Sequence, residues 1–494
     1  MTYFETIALA ILGFGSSWLL IRLILQWTKW SGSAVRSQQF HQTHAAPISR
    51  LGGVGLAVSL VVTSVAVFFL LPPRVQEGPQ WLAVVVGSLA MFFLGLLDDL
   101  RPLNAKVKFL VQITIAIVVC FGGDLRFERI TNPYTNQIYE LGFLGSVLSV
   151  FWLVAVTNLI NLTDGLDGLA GGICFMVLCL MSFLGVQMTT SVTAMLAIAM
   201  AGAVLGFLNF NFPPARIYMG DGGAYLLGFL IAALSLANSH KGMVAAALFA
   251  PACALTVPIY DVIVAIVRRG ARGLPLFRPD KKHLHHRLSQ LGFSPKRAVT
   301  LLYVMSLMFV LLGLSVFWTG GRMLPPVISF AVLLGVVGLR SMARMERWIE
   351  LGQLFSTMLH IRRETQYALA LGRWLELAAK RAESSEEVWS DFQFLVRKLK
   401  FTTVTLRVGE TERRWVNSAL ESHPDDLTDE HQFTMDGQRV VLGITASPNT
   451  MAPKVFFILA ELAAEGWLKA SLNWQARRGR LALFGKVPVK PESR

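Results

Sequence analysis

The chain has 494 residues, of which 54% are hydrophobic and only 15% are charged, and its formal net charge is +14. Soluble globular chains carry about 25% charged residues, so this composition excludes an ordinary soluble protein and indicates a polytopic membrane protein. In such a protein a positive excess is typical of cytoplasmic loops, and we therefore expect no nucleic-acid partner.

Apolar runs long enough to cross a bilayer recur along the first two thirds of the chain and predict about eleven transmembrane helices. In order they are Phe4–Gln26, Leu51–Leu71, Trp81–Leu97, Val107–Phe121, Leu141–Val156, Leu169–Val186, Val192–Leu208, Ala224–Ala237, Val244–Val267, Val299–Trp318 and Leu324–Leu339. The first run resembles a retained span that also serves as an insertion signal.

The distribution of Lys and Arg predicts the orientation of these spans. One set of alternating loops is strongly basic, above all the loop at 268–297, whereas the other set holds only a few cations. Those few are Arg74, Arg126, Arg129, Lys241 and Arg322. By the positive-inside rule the basic loops are cytoplasmic, so the N-terminus lies outside and the C-terminal part inside.

The composition changes after Arg340. Residues 342–399 are charged and periodic and predict two or three amphipathic helices. Strands are predicted at Phe401–Val408, Trp415–Ala419 and Gln438–Thr445, and a last helix at Pro453–Trp474. The fold class is therefore an all-α polytopic membrane domain, residues 1–340, followed by a small soluble α+β cytoplasmic domain, residues 341–494. The second domain is interpreted as a docking or oligomerisation module, which would allow a homodimer; the alternative is a small-ligand sensor.

The most polar stretch between two spans is Asn158–Gly172, which contains Asn158, Asn161, Asp164 and Asp167 among glycines. One interpretation is a polar loop that only connects two spans. However, ionisable groups at a membrane boundary are costly and are functional candidates. Carboxylates and carboxamides this dense suit a hydrated divalent cation and a hydroxyl-rich, phosphorylated substrate.

Two adjacent carboxylates, Asp98 and Asp99, end the third run, and Lys108 follows. They could be solvated charges at a helix end. They could also take a proton from a phosphate nucleophile or hold that nucleophile in place. Because neighbouring side chains on a helix point about 100° apart, we expect the two aspartates to differ in role.

Asp221 lies between glycines where a loop enters the eighth run. It could be a simple N-cap. The free N–H groups at a helix start also favour phosphate, and a carboxylate there can hold Mg²⁺ together with phosphate oxygens.

A basic segment with three histidines follows the ninth run, comprising Arg278 to Arg287. Its His283, His285 and His286 beside Arg287 suit a pyrophosphate. A zinc site is the alternative, but no cysteine accompanies the histidines and the local positive charge disfavours a cation.

Over residues 40–300 these four segments, in this order, resemble the polyprenyl-phosphate N-acetylhexosamine-1-phosphate transferase superfamily, glycosyltransferase family 4. The motifs that carry the resemblance are the Asp-Asp span end, Asn-x-x-Asn-Leu-x-Asp-Gly-Leu-Asp-Gly-Leu, Asn-Phe-Pro-Pro-Ala with Met-Gly-Asp-x-Gly, and His-Leu-His-His-Arg. The last motif is similar to that of the branch that makes undecaprenyl-pyrophosphate-GlcNAc, and it differs from that of the MurNAc-pentapeptide branch.

The resemblance implies a metal site and a phosphate site. Asp221 would bind Mg²⁺, or Mn²⁺ in its place, with help from Asn161. Asp98 or Asp99 would engage the lipid phosphate, and Lys108 would contact phosphate.

It also implies substrate contacts. Asp167 would meet the uracil, Tyr218 would stack on it, and Asp164 would belong to the surrounding polar shell. Asn158 is expected among the substrate-binding residues. The pyrophosphate or sugar side would be lined by His283, His285, His286 and Arg287.

One segment departs from the family pattern. The family loop before the second span reads Arg-Lys-x-His followed by Pro-x-Pro-Arg-Leu-Gly-Gly, whereas here His41–His44 lacks the basic pair and Ser49 replaces a proline. For this loop the resemblance therefore implies neither a phosphate contact nor a particular sugar.

The resulting expectation is a multi-pass enzyme of a bacterial inner membrane, with its active site on the cytoplasmic face. A lipid phosphate oxygen attacks the β-phosphorus of a UDP-sugar, releasing UMP and leaving a lipid-linked pyrophosphoryl sugar; the expected partners are UDP-GlcNAc and undecaprenyl phosphate. Direct attack and an aspartyl intermediate both remain open.

The alternatives to this function are the same reaction with another UDP-N-acetylhexosamine or a MurNAc-pentapeptide donor, a polytopic transporter, and an inactive membrane anchor. A transporter would carry midplane charges and a repeat between halves, which the sequence lacks.

Overall fold

The fold was analysed in a computed structural model of the chain. It describes residues 3–31, 48–70, 78–132, 134–135, 137–188, 191–239, 251–253, 255–272, 292–330, 332–333, 351–408, 411–420, 423, 425–435 and 438–478. The chain divides into two compact units, Met1–Ala265 with Pro279–Arg347, and Ile266–Arg278 with Trp348–Arg494. The predicted domain boundary at residue 340 falls outside the described residues.

The first unit is a bundle of membrane-crossing helices. Its helices are α1 (Tyr3–Ser31), α2 (Gly52–Leu70), α3 (Gly78–Leu100), α4 (Ala105–Gly122), α5 (Gly142–Thr163), α6 (Leu169–Gln187), α7 (Ser191–Asn211), α8 (Gly220–Ser239), α9 (Thr256–Arg272) and α10 (Pro295–Trp318). The last residues of α9, from Ile266, are grouped with the second unit.

Nine helices of the described ranges are long and apolar enough to cross a membrane, namely α1 to α8 and α10. They confirm the predicted polytopic, helical membrane domain. The predicted ninth and eleventh runs, Val244–Val267 and Leu324–Leu339, lie partly outside the described residues, and these two spans stay predictions.

Helix α8 lies at the centre of this bundle. In its Gly220–Asn238 window 94% of the residues are buried, against 22% in the span of α1. It packs against α2, α3, α5 and α6. Glycine, alanine and serine recur among the leucines along it, and their small side chains let neighbouring helices approach closely. This central helix carries Asp221 in its first turn.

A short β-hairpin, which the sequence analysis missed, connects α4 to α5. Its strands are β1 (Arg129–Thr131) and β2 (Ile138–Glu140), paired antiparallel with Ile130 opposite Tyr139. The Tyr134 hydroxyl donates to the backbone carbonyl of Arg322, 2.9 Å away. Three-residue strands are too short to leave a clear alternating pattern in the sequence.

The second unit contains helices α11 (Leu351–Arg381), α12 (Ser385–Lys398) and α13 (Pro453–Arg478) and strands β3 (Thr403–Val408), β4 (Thr411–Val416), β5 (Leu427–Met435) and β6 (Gln438–Ala446). The antiparallel sheet has the order β4-β3-β6-β5. Apolar residues of one sheet face pack with the helices around Phe392, Phe401, Phe456 and Trp467. This is the predicted small α+β unit.

The strand predictions in this unit need two corrections. The predicted strand at Trp415–Ala419 is displaced, since β4 occupies Thr411–Val416, and β5 was missed. β5 is an edge strand, and polar side chains such as Asp429 and His431 interrupt the apolar alternation on its helix-facing side. Edge strands bury less apolar surface and therefore carry a weaker sequence signal.

Candidate active site

The turn between α3 and α4 brings Asp98 and Lys108 together. Asn104 caps the start of α4 by accepting a hydrogen bond from the Lys106 N–H at 3.0 Å. The Lys108 ammonium then lies 2.6 Å from Asp98 Oδ2, while Asp98 Oδ1 accepts from the Leu103 N–H at 2.7 Å. Both oxygens of Asp98 are thus held, and its side chain is only 8% exposed.

Asp99 has a different set of partners. Its Oδ2 accepts from the backbone N–H of Gly222 at 3.1 Å, and the Asp221 N–H also donates to this carboxylate. The Arg50 guanidinium lies 4.0 Å from Oδ1. Because free N–H groups at a helix start seek acceptors, Asp99 acts as a cap for α8 supplied by another helix.

Asp221 stands in the first turn of α8, directly after Gly220, which has a φ of +71° that favours glycine. Its Oδ1 accepts a hydrogen bond from Asn161 Nδ2 at 3.0 Å, and its Oδ2 lies 3.9 Å from the Lys108 ammonium. The carboxyl groups of Asp221 and Asp98 are within hydrogen-bonding range of each other.

A close approach of α3 to the start of α8 makes this cluster possible. A Cβ added to Gly95 would lie 2.4 Å from the Asp221 carbonyl oxygen and 2.6 Å from the Gly222 Cα. Real Cβ atoms do not come this close to backbone, so only glycine fits at this position of α3. The glycine therefore sets the distance between the aspartate pair and Asp221.

The donor set is compatible with a magnesium ion. Asp98 and Asp221 offer carboxylate oxygens beside each other, whereas the described residues contain no group of three or more His, Cys, Asp or Glu side chains that could hold a metal alone. Mg²⁺ usually binds one or two protein carboxylates and completes its shell with water and substrate phosphates. A site with two carboxylates and one amide, completed by water and substrate phosphates, therefore suits this ion.

Asp164 lies in the turn after α5, beyond the membrane-spanning segment. Burial is the main cause that raises the pKa of its carboxyl group to about 7, and the negative charges of Asp221 and Asp99 add to the shift. Desolvation and nearby like charges both disfavour the ionised form. The structure therefore places Asp164 in the same acidic cluster as the aspartates of α3 and α8.

Asp167 and Tyr218 belong to two loops that are joined by hydrogen bonds. Asp167 Oδ2 accepts from the Ala215 N–H at 2.9 Å. Asn211 accepts from the Gly168 N–H at 2.9 Å and donates to the Ile217 carbonyl at 2.8 Å. Burial, and then the negative charge of Asp167, raises the pKa of the Tyr218 hydroxyl. The predicted uracil-binding pair thus sits beside the acidic cluster.

The prediction that the Asn158–Asp167 segment follows the fifth span is wrong for its first half. Helix α5 continues to Thr163, so Asn158 and Asn161 lie on its last two turns. Polar side chains are accommodated here because they donate hydrogen bonds to helix carbonyls four residues earlier. Asn158 Nδ2 donates to the Val154 carbonyl at 2.8 Å, and Thr163 Oγ1 donates to the Leu159 carbonyl at 2.7 Å.

Asn158 uses both hydrogens of its amide within the protein. The second goes to Gln112 Oε1 on α4, 2.7 Å away. This geometry leaves only its side-chain carbonyl oxygen for a ligand, and its role in substrate binding stays a prediction. Gln112, like Arg50, was not among the predicted site residues. The four-residue spacing from Lys108 to Gln112 on one helix face was the signal available for it.

The histidine segment cannot be compared with its prediction. His283, His285, His286 and Arg287 lie outside the described residues, as does His41–Pro47 of the departing loop. The described end of that loop pairs with the loop before α8: the Ser49 carbonyl accepts from the Tyr218 N–H at 2.8 Å, and the Gly52 N–H donates back to the Tyr218 carbonyl at 2.9 Å.

Known proteins are similar in sequence to part of this chain. The model of the family described as glycosyl transferase family 4 matches residues 81–239. A probable undecaprenyl-phosphate N-acetylglucosaminyl 1-phosphate transferase of Bacillus subtilis (strain 168) is 34% identical over 276 residues, which are 56% of this chain and 75% of the relative.

Two other relatives carry different names. A decaprenyl-phosphate N-acetylglucosaminephosphotransferase of Mycobacterium tuberculosis (strain ATCC 25618 / H37Rv) is 33% identical over 298 residues, 55% of this chain and 72% of the relative. A phospho-N-acetylmuramoyl-pentapeptide-transferase of Oceanobacillus iheyensis is 31% identical over 305 residues, 58% of this chain and 89% of the relative. The relatives thus differ in lipid carrier and in sugar but agree in the type of reaction.

Proposed function

Because this chain belongs to glycosyl transferase family 4 and is a polyprenyl-phosphate hexosamine-1-phosphate transferase of multi-pass membrane type, we propose that it transfers GlcNAc-1-phosphate from UDP-GlcNAc to undecaprenyl phosphate. The products are UMP and undecaprenyl-pyrophosphoryl-GlcNAc, the first lipid-linked intermediate of a cell-surface glycan. The family membership argues against a transporter.

The observation that carries the proposal is the position of the Lys108 ammonium, 2.6 Å from Asp98 Oδ2 and 3.9 Å from Asp221 Oδ2. A cation between two carboxylates, at the end of membrane-spanning helices, suits the pyrophosphate of a donor that must meet a lipid phosphate. GlcNAc is favoured as the sugar because it is the sugar named for the Bacillus and Mycobacterium relatives, at 34% and 33% identity.

In the proposed reaction an oxygen of the lipid phosphate forms a bond to the β-phosphorus of the nucleotide sugar. The bond from that phosphorus to the oxygen bridging to the α-phosphorus breaks, and UMP leaves with this oxygen. Asp98 orients the attacking phosphate through Lys108 or through water, and Lys108 neutralises charge on the phosphates. Asp99 holds the start of α8 in register. Holding both substrates in line is the main requirement of such a transfer.

For the metal we propose Mg²⁺, or Mn²⁺ in its place, held by Asp221 with Asn161 orienting the carboxylate. When bound, the ion would neutralise charge on the pyrophosphate and on the departing phosphate.

Tyr218 and Asp167 would bind the uracil by stacking and hydrogen bonding, with Asp164 in the polar shell. His283, His285, His286 and Arg287 would contact the pyrophosphate or the sugar, and Asn158 would support the donor through its free carbonyl oxygen.

We further propose that this site faces the cytoplasm in a bacterial inner membrane, because the order of spans in the sequence predicts the basic loops at the same ends of the spans as the acidic cluster. The donor would then arrive from the cytosolic pool of sugar nucleotides.

The test is a reaction of the purified full chain with undecaprenyl phosphate and Mg²⁺, in which UDP-GlcNAc, UDP-GalNAc and UDP-MurNAc-pentapeptide are offered separately. We expect UMP release and the matching lipid product, read by mass spectrometry, with UDP-GlcNAc above the other two. Turnover restricted to UDP-MurNAc-pentapeptide would overturn the sugar assignment but not the reaction class. An Asp221→Ala variant serves as the inactive control.

A further inference from the structure

The second unit exposes an apolar row on its longest helix. Tyr367, Trp374 and Leu377 of α11 are 45%, 39% and 61% exposed, and Ala370 is exposed between them. Their spacing of three and four residues places them on one side of the helix. The opposite side, with Ala368, Leu375 and Ala379, is buried in the core of the unit.

Basic residues accompany this row. The exposed residues of α11 from 361 to 381 include five cations and no carboxylate. The cations are Arg362, Arg363, Arg373, Lys380 and Arg381. The two carboxylates of the same stretch, Glu364 and Glu376, are half-buried, and Glu376 lies 3.7 Å from Lys469 of α13. The outward side of α11 is thus apolar and positive at once.

The neighbouring helix extends the same surface. The ring of Phe394 on α12 lies 5.2 Å from that of Trp374. The Arg397 guanidinium and the Lys398 ammonium lie over the Phe394 ring at 5.8 and 5.5 Å, and both residues are exposed, as is Lys400. We call the surface formed by Tyr367, Trp374, Leu377 and Phe394, with the surrounding cations, the basic–aromatic surface.

The acidic end of α12 is occupied in other contacts. Glu386 pairs with Arg413, and Glu387 accepts from the Glu383 N–H at 2.7 Å. These carboxylates stand in the first turn of α12, whereas Arg397 and Lys398 stand in its last turn beside Phe394. The charges on α12 are therefore separated along its axis, with the positive end at the basic–aromatic surface.

We propose that the basic–aromatic surface binds the anionic headgroups of the bilayer that the first unit spans. Exposed Trp, Tyr and Leu side chains flanked by Arg and Lys are the composition of helices that lie in a membrane interface. Anionic lipids attract basic segments close to a membrane, and the spans of the same chain keep this unit near one. A second copy of the chain is disfavoured as the occupant, since two such surfaces would bring like charges together.

The experiment uses the full chain in nanodiscs, each containing either phosphatidylcholine alone or phosphatidylcholine with phosphatidylglycerol. An environment-sensitive fluorophore is attached to Ala370→Cys, on the basic–aromatic surface. The control is Val416→Cys, an exposed apolar position, 48% accessible, on the outward face of β4. A wild-type chain treated in the same way corrects for labelling of the native cysteines. Nitroxides on lipid chains near the headgroup report contact with the bilayer.

In anionic discs we expect the label at Ala370→Cys to be quenched at least about threefold more than the control label. The difference should vanish in phosphatidylcholine discs and at about 1 M salt, where charges are screened beyond about 3 Å. It should also fall in Arg397→Gln/Lys398→Gln. A matched variant with the same loss of charge on the sheet face, Arg407→Gln/Arg439→Gln, should behave as wild type.

Equal quenching of the two labels in anionic discs would overturn the proposal. So would protection of the Ala370→Cys label that ignores lipid charge but requires two copies in one disc, because this result would identify a second copy as the occupant. These outcomes are independent of the sugar donor, so the proposal can fail while the transferase function stands.

Discussion

The carboxylate of Asp99 accepts a hydrogen bond from the backbone N–H of Gly222, 3.1 Å away on another helix. Its neighbour Asp98 instead pairs with the Lys108 ammonium at 2.6 Å. The two adjacent aspartates of α3 thus serve different purposes, since one holds a helix start and the other holds a cation that faces Asp221.

The first prediction compares the two aspartates. Asp98→Asn should lower kcat at least about tenfold more than Asp99→Asn, a difference of roughly 1.4 kcal/mol in barrier. An asparagine at 99 can still accept from the Gly222 N–H, whereas one at 98 removes the carboxylate that lies 2.6 Å from the Lys108 ammonium. The KM for the UDP-sugar should stay nearly unchanged in Asp98→Asn. Equal losses in both variants, or a loss confined to nucleotide affinity, would contradict the assignment.

The second prediction concerns Asp221 and its partner Asn161. Asp221→Ala should reduce turnover by at least about 10³-fold, while Asn161→Leu, which removes one hydrogen bond to a charged group, should cost about 10- to 100-fold. Rates are measured against Mg²⁺ concentration, and the thermal unfolding of each variant in detergent controls for folding. Full turnover of the wild type in excess chelator would rule out the metal role.

The third prediction concerns pH and Asp164. Burial raises the pKa of its carboxyl group to about 7, from an ordinary value of 3.8. Below both values the carboxyl group is protonated in the folded and unfolded chain, and above both it is ionised in each. Between them only the folded chain keeps the proton, so folded-state stability falls as pH rises from about 4 to about 7.

Asp164→Asn should therefore raise the unfolding temperature more at pH 8 than at pH 5, by about 2 °C or more, when measured with a chelator present. Asp124→Asn is the control, since the Asp124 side chain is 57% exposed beside Arg126. An equal effect of Asp164→Asn at both pH values would show that the carboxyl group keeps an ordinary pKa.

The fourth prediction uses Gly95, where an added Cβ would lie 2.4 Å from the Asp221 carbonyl oxygen. Gly95→Ala should push α3 and α8 apart, destabilising the protein by about 1–3 kcal/mol and lowering turnover at least about tenfold. Gly15→Ala on α1 is the matched control, because nothing lies within 4 Å of its added Cβ. Unfolding temperature and rate are both measured; normal values for Gly95→Ala would mean that the helices can adjust.

The fifth prediction is that the second unit is dispensable for chemistry. Every described residue of the candidate site lies in the first unit. A chain that ends after about Glu350 should keep turnover within about threefold of the full chain, a barrier change below about 1 kcal/mol. Radiolabelled product formation in membranes, normalised to inserted protein, is the measurement. Complete loss in a normally inserted truncated chain would show that the second unit helps to build the site.

Sequence reasoning located most of the membrane helices and the acidic residues of the site. The spans were predictable because an apolar run of this length in a membrane must satisfy its backbone hydrogen bonds internally, which a helix does. Polar residues at span ends, such as Asp98 and Asp221, stood out because charge is rare in such segments. That these two carboxylates meet could be expected from their shared membrane face.

Contacts between segments that are distant along the chain could not be predicted from the sequence. Which aspartate faces Lys108 depends on helix rotation, which a span boundary does not determine. Arg50 reaches Asp99 only because the chain before α2 pairs with the backbone of Tyr218. Asn158 was placed after the fifth span because the apolar run ends at Val156, yet its bond to the Val154 carbonyl keeps it within the helix.

The central position of α8 has a mechanical consequence. Changes in bilayer thickness are absorbed by tilting of spans that touch lipid. Of the Gly220–Asn238 window 94% is buried by protein, so acyl chains have little surface of α8 to act on. The outer helices, such as α1, can adjust to a thinner or thicker membrane while the first turn of α8 keeps its place. The position of Asp221 therefore depends little on the thickness of the bilayer in which the acceptor substrate dissolves.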